Sequence, residues 1–255
     1  MVIILPSKRA GLFLKHQLPR VIQQTIFSPT IISIEEFVED ISQLKTISNT
    51  ELLFEFYSTY LKLTPKENQD AFESFSKWAQ ILLQDFNEID RYLIPPKHIF
   101  DYLSAIQDLN HWSLEKNQTP LIKNYLIFWK KLNGYYTNLS DTLINKGQGY
   151  QGLIYKEAVK NLEAYNQFNT TKQHVFLGFN ALNNAEATLF QGLLQNDTAL
   201  IYWDTDIAFV DNPYHDAGLF IRQHKAKWNY YKTHPFNWTK VHYLENKNIT
   251  VIGTP

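Results

Sequence analysis

The 255-residue sequence predicts an α/β protein: a mostly parallel sheet, discontinuous in sequence, interrupted by a large all-helical insertion. Three observations predict it. The first 47 residues alternate short apolar runs with amphipathic stretches, the β-α-β-α grammar of a parallel sheet. Residues 48–169 carry only the 3.6-residue apolar period of helices. After residue 170 the short apolar runs return.

Val2 to Leu5 is a continuous apolar run of the kind buried in parallel sheets, and Pro6 ends it. Ser7 can cap a helix with Ala10, Phe13, Leu14 and Leu18 on one face. Thr30-Ile31-Ile32 is a second strand. Ser33 with Glu36 reads as a capping box before a helix with Phe37, Ile41 and Leu44 on one face. Ser48 with Glu51 is another capping box, opening a helix through Leu52, Phe56 and Tyr60. Helical spacing recurs over 70–90 (Phe72, Phe75, Ala79, Leu82, Leu83, Phe86), 97–110 (Phe100, Leu103, Ile106), 121–145 (Leu121, Tyr125, Phe128, Trp129, Leu132) and Leu153 to Tyr165. No fixed-period repeat accompanies it, so a bundle is expected rather than a solenoid. His174 to Phe179 and Ala199 to Trp203 are strands, with a helix from Ala185 to Leu194 between them. A helix starting near His215 runs through Arg222 to Trp228. Val241 to Leu244 and Ile249 to Gly253 are late strands, the latter expected in the same sheet. The domains are therefore 1–47 plus 170–255 for the sheet and 48–169 for the helical insertion.

Apolar residues make up 44% and charged residues 19%, which excludes intrinsic disorder. The absence of Cys excludes disulfides, thiolate metal sites and cysteine nucleophiles. No apolar run approaches the roughly 20 residues of a membrane span, and no secretory signal opens the chain, so a cytoplasmic protein without membrane partners is expected. The net charge of −1 hides an alternation: residues 1–34 sum to +4 without a single acid, and residues 175–220 sum to −6 without a Lys or Arg.

Four patterns bear on chemistry. Gly147-Gln148-Gly149-Tyr150-Gln151-Gly152 matches G-x-G-x-x-G, but a dinucleotide site needs a strand before it. The preceding residues read as helix, so a helix-ending glycine and a flexible turn are expected instead. No G-x-x-x-x-G-K-[ST] phosphate loop occurs. Trp203-Asp204-Thr205-Asp206 places D-x-D after an apolar strand, where two carboxylates could hold a divalent metal on a nucleotide diphosphate, as in a nucleotide-sugar glycosyltransferase; an Asp-rich turn is the plainer explanation. Pro6-Ser7-Lys8-Arg9, just past the first strand, joins backbone N–H groups, a hydroxyl and two cations that could hold a phosphate.

Several stretches taken together resemble a known family. Val2-Ile3-Ile4-Leu5-Pro6-Ser7-Lys8-Arg9-Ala10-Gly11 is similar to the opening block of Bacteroidetes PD-(D/E)XK nuclease-family proteins, which are similar to the AddB subunit of AddAB helicase–nucleases. Pro29 to Phe37, Leu82 to Asp90, Gly149 to Gly152, Phe176 to Leu182 and Tyr202-Trp203-Asp204 resemble later blocks in the same order. The resemblance implies a P-loop-helicase-like domain interrupted by a helical subdomain, in a longer polypeptide with a C-terminal nuclease and a partner helicase subunit. It also implies a role in processing DNA ends for recombinational repair. By the same resemblance Ser7, Lys8 and Arg9 would touch the DNA backbone. The acidic position that anchors Mg²⁺ in active helicases falls near Leu177, so an inactive ATPase is expected, with no catalytic residue, metal or cofactor. A protein-interaction domain without DNA contact is the remaining alternative.

Overall fold

The computed structural model describes residues 1–102, 120–236, 243 and 245–253. Its main elements, in chain order, are β1 (Val2–Leu5), α1 (Lys8–Val21), β2 (Thr30–Ser33), α2 (Ile34–Ser42), β3 (Lys45–Thr46), α3 (Asn49–Leu63), α4 (Phe72–Arg91), α5 (Pro120–Asn145), β4 (Gln148–Gly149), α6 (Gln151–Phe168), β5 (His174–Phe179), α7 (Asn184–Gln195), β6 (Ala199–Trp203), α8 (Ile207–Val210), α9 (Leu219–Lys227) and α10 (Tyr230–Thr233).

Four strands form one parallel sheet in the order β2-β1-β5-β6. Ile3 pairs with Ile31 on one side and Val175 on the other, and Phe176 pairs with Ile201. Successive side chains point to opposite faces. On one face Ile3, Leu5 and Ile31 form a core under Ala10, Leu14 and Leu18 of α1, with Val175 and Leu177 packed beside them. On the other, Ile4 and Phe176 are fully buried, and the Phe190 ring of α7 stacks on Phe176 at 3.7 Å between centroids. Phe13, expected on the inner face of α1, is instead 57% exposed. The buried face of α1 includes Gly11, where an added Cβ would meet Ile31 Cγ2 at 3.4 Å.

Ile249, Val251 and Ile252 do not join the sheet. They are 79%, 90% and 81% exposed, and residues 249–253 pair with no strand among the described residues. An apolar alternation supplies a strand with a face but not with a backbone partner. Of the other late strand, Val241 to Leu244, only Tyr243 is described; Leu103 and Ile106 also lie outside the described residues.

The chain divides into two compact units, Met1–Ile34 with Asn169–Leu182 and Phe190–Pro255, and Glu35–Phe168 with Asn183–Leu189. This moves residues 35–47, expected with the sheet, into the helical unit. The reason is local: Lys45 and Thr46 of β3 pair with Gln148 and Gly149 of β4, and Asn161 of α6 donates to the Ile41 carbonyl at 3.2 Å. The start of α7 moves likewise, since Asn184 donates to the Tyr92 carbonyl at 2.9 Å and Tyr155 donates to Glu186 at 2.9 Å.

The helical unit is built on rings. Phe56 of α3 meets Phe75, Trp78 and Phe86 of α4 and Tyr135 of α5 at 5.2–6.1 Å between centroids. The Ser48–Glu51 capping box is formed at the start of α3.

Candidate nucleic-acid interface

Because all four sheet strands run parallel, their carboxyl ends share one edge, where ligands of α/β sheets gather. Pro6-Ser7-Lys8-Arg9 follows the inner strand β1 there. Ser7 is extended (φ −157°, ψ 158°), and its hydroxyl accepts from Ala10 N at 3.2 Å, which caps α1. The first turn carries no acid of its own, so the helix itself places no carboxylate at the positive end of its dipole. Ser7, Lys8 and Arg9 are all exposed. The Arg9 guanidinium lies 5.8 Å from the Phe13 ring centroid, one turn along. Helix-end N–H groups, two cations and an exposed ring are chemically suited to a phosphate-bearing ligand.

Leu177, one strand over, packs into the core under α1. A metal-anchoring carboxylate has no counterpart at that position. The next residue, Gly178, has φ +79°, a conformation that favours glycine, beside an irregularity in the pairing of β5 with β6.

Asp204 and Asp206 close β6, but Asp206 is engaged on both oxygens. Oδ1 accepts from Ala208 N and caps α8, and Oδ2 accepts from Tyr243 N, each at 2.9 Å. His215 Nδ1 accepts from Ala217 N at 3.2 Å. Arg222 of α9 then clasps the loop: Nη1 donates to the Phe209 and Asn212 carbonyls, and Nη2 to those of Pro213 and His215, at 2.7–3.2 Å. The D-x-D segment thus opens a turn held by its own side chains. Among the described residues no three His, Asp or Glu gather as metal ligands.

Behind Asp204, Trp203 is buried and stacks on His224 at 5.1 Å, and Trp228 covers the other part of that imidazole at 4.7 Å. Burial pushes the His224 pKa down, against a hydrogen bond with the Asn180 backbone that pulls it up. His174, at the start of β5, is also held below its ordinary value by burial, although its Nδ1 lies 3.0 Å from the Thr198 carbonyl.

The glycine motif lies in the helical unit and follows a helix, not a strand. Gly147 (φ +67°) ends α5 with its N–H on the Ile144 carbonyl at 2.9 Å. Gly149 pairs with Thr46, so the segment expected as a flexible turn is a short parallel bridge. Gly152 lets α6 cross α4: a Cβ there would lie 2.2 Å from the Asn87 carbonyl oxygen, and Gly152 N donates to Asn87 Oδ1 at 2.7 Å.

Two features escaped the sequence reading. The Arg9–Phe13 pair has the i,i+4 spacing as its signal, which the apolar character of Phe13 masks as core. The Arg222 clasp has no local signal, because its acceptors are backbone carbonyls. Searches against protein-family models and against curated proteins find no match for this chain.

Proposed function

We propose that this chain is a non-catalytic, helicase-like module that contacts nucleic-acid phosphates through Ser7, Lys8 and Arg9. In this reading it serves DNA end processing and recombinational repair in the cytoplasm, as part of an AddB-like helicase–nuclease. The C-terminal nuclease of the same polypeptide and a partner helicase subunit are its proposed partners. The observation that carries the reading is the Ser7-capped, acid-free start of α1, with Lys8 and Arg9 exposed at the carboxyl edge of a parallel sheet. The family resemblance over the same block supports it. The core position of Leu177 and the absence of a phosphate-loop motif from the sequence support the non-catalytic part. The glycosyltransferase alternative is weakened by the double engagement of Asp206.

Fluorescence anisotropy of a labelled oligonucleotide at low salt tests the reading. The chain should bind weakly and without sequence preference, and the Lys8→Glu/Arg9→Glu double variant should lose about tenfold or more in affinity. Calorimetry with Mg²⁺–ATP should show no binding. Equal oligonucleotide affinity of the two proteins removes the site; micromolar ATP binding removes the non-catalytic assignment.

A further inference from the structure

We propose that the cavity between the C-terminal half of α1 and the loop leading into β2 is a docking site for an acidic peptide with an apolar anchor. The cavity measures about 480 Å³ and is lined by the apolar Leu18, Pro19, Ile22, Ile26 and Pro29 and the polar Gln24, Thr25 and Ser28, with Lys15 as the one charged side chain among the described residues. Lys15 is exposed and has no ion-pair or hydrogen-bond partner among the described residues.

Place separates this site from the phosphate contact. Pro29 immediately precedes β2, so the cavity sits at the amino-terminal edge of the parallel sheet, whereas Ser7 to Arg9 sit at the carboxyl edge. Along α1, Lys15 at the near side of the cavity lies about 10 Å from Lys8 and Arg9, and Ile22 at its far side about 20 Å from Lys8. The site therefore stands or falls independently of the nucleic-acid reading.

The chemistry of the occupant follows from three features. The volume exceeds what one aliphatic side chain fills and matches an aromatic or branched anchor with its neighbours. The apolar surface does not stop at the cavity: Ile26 of its lining is itself exposed, as are Val21 and Phe27, next in sequence to lining residues. A small molecule is bound by enclosing most of its surface, but this apolar rim lies open and suits a chain that continues past its anchor. Finally, residues 1–34 carry four cations and no acid, so the field over α1 attracts an acidic partner and repels a basic one. Anchor in cavity, carboxylates along Lys15 and the neighbouring Arg20, is the arrangement that satisfies all three.

The probe is a fluorescein-labelled ten-residue peptide of Asp and Glu with one central Phe, titrated with the full chain in an anisotropy assay. Saturable binding is expected. It should weaken about tenfold or more when the peptide's Phe is replaced by Ala, and by a similar factor in Lys15→Glu and in Ile26→Ser. Both residues are exposed, so the variants should keep the parent's thermal melt. At about 0.15 M salt the Lys8→Glu/Arg9→Glu variant should lose less peptide affinity than Lys15→Glu, because its charges lie about 10 Å along the helix axis from Lys15, about one Debye length. Three results would overturn the proposal: no saturable binding, an equal loss in Lys8→Glu/Arg9→Glu and Lys15→Glu, which marks general charge attraction, or saturable binding of decanoate without binding of the peptide, which assigns the cavity to a small amphipathic anion.

Discussion

The two units solve burial in opposite ways. In the sheet unit the core is hydrocarbon and stacked rings, Ile4, Phe176 and Phe190, with imidazoles held neutral where polar groups are covered. The helical unit buries a carboxyl group among hydrogen-bond donors. Asp90, whose side chain is fully covered, accepts from Tyr136 and, at 2.6 Å, from Tyr150, while Lys156 Nζ lies 3.2 Å away. Both phenols are pushed well above their ordinary pKa, first by burial and then by the Asp90 charge. The cause is compositional. A core of tyrosines at helix crossings brings hydroxyls inside, and each needs an acceptor.

The same contrast governs surface charge. In the helical unit several cations meet acids, Lys45 with Glu39, Arg91 with Glu88, Lys146 with Glu55 and Lys160 with Glu157. In the sheet unit Arg9, Lys15 and Arg20 reach no carboxylate among the described residues. Arg9, Lys15 and Arg20, without a carboxylate among the described residues, are the cations of α1 that can meet an acidic ligand at least cost.

The largest expected effect breaks the polar core. Asp90→Ala should cost about 3–5 kcal/mol, because it strands Lys156 and two phenols. Asp90→Asn, which keeps an acceptor, should cost less, and urea unfolding measures both. Equal stability of Asp90→Ala and the parent would mean that the network holds nothing together. Next, Gly152→Ala should cost about 1–3 kcal/mol by forcing α6 off α4. A thermal melt unchanged by that substitution would show that the crossing has slack. In the sheet unit the sensitive variable is pH. His174 and His224 have folded pKa values depressed below 6.5, so the unfolded chain binds more protons as pH falls. The stability they contribute is complete above about pH 6.5 and is lost progressively below it. Melts at pH 7.5 and 5.5 should differ, and by less in His174→Gln. A pH-independent melt of the parent contradicts the neutral, buried state of these rings.

Much of this fold was legible because it is local. Val2–Leu5, His174–Phe179 and Ala199–Trp203 coincide with their apolar runs, and the Ser48–Glu51 box forms as spaced. What was not legible depends on distant partners. Residues 45–46 and 148–149 become strands only by finding each other across the helical insertion, and Ile249 to Ile252 find no such partner among the described residues. The phosphate-contact candidate was readable from Pro6 to Arg9 alone, since a capped helix start after a strand is a sequence-local object. The opposite cavity was not, because α1 and the loop before β2 enclose it only once folded.

The salt dependence of oligonucleotide binding tests the central claim most directly. Each phosphate neutralised by Lys8 or Arg9 releases counterions, so a plot of log affinity against log salt should be steeper for the parent than for Lys8→Glu/Arg9→Glu by about two units. Identical slopes for the two proteins would show that neither residue meets a phosphate, and would contradict the assignment of this helix start as the nucleic-acid contact.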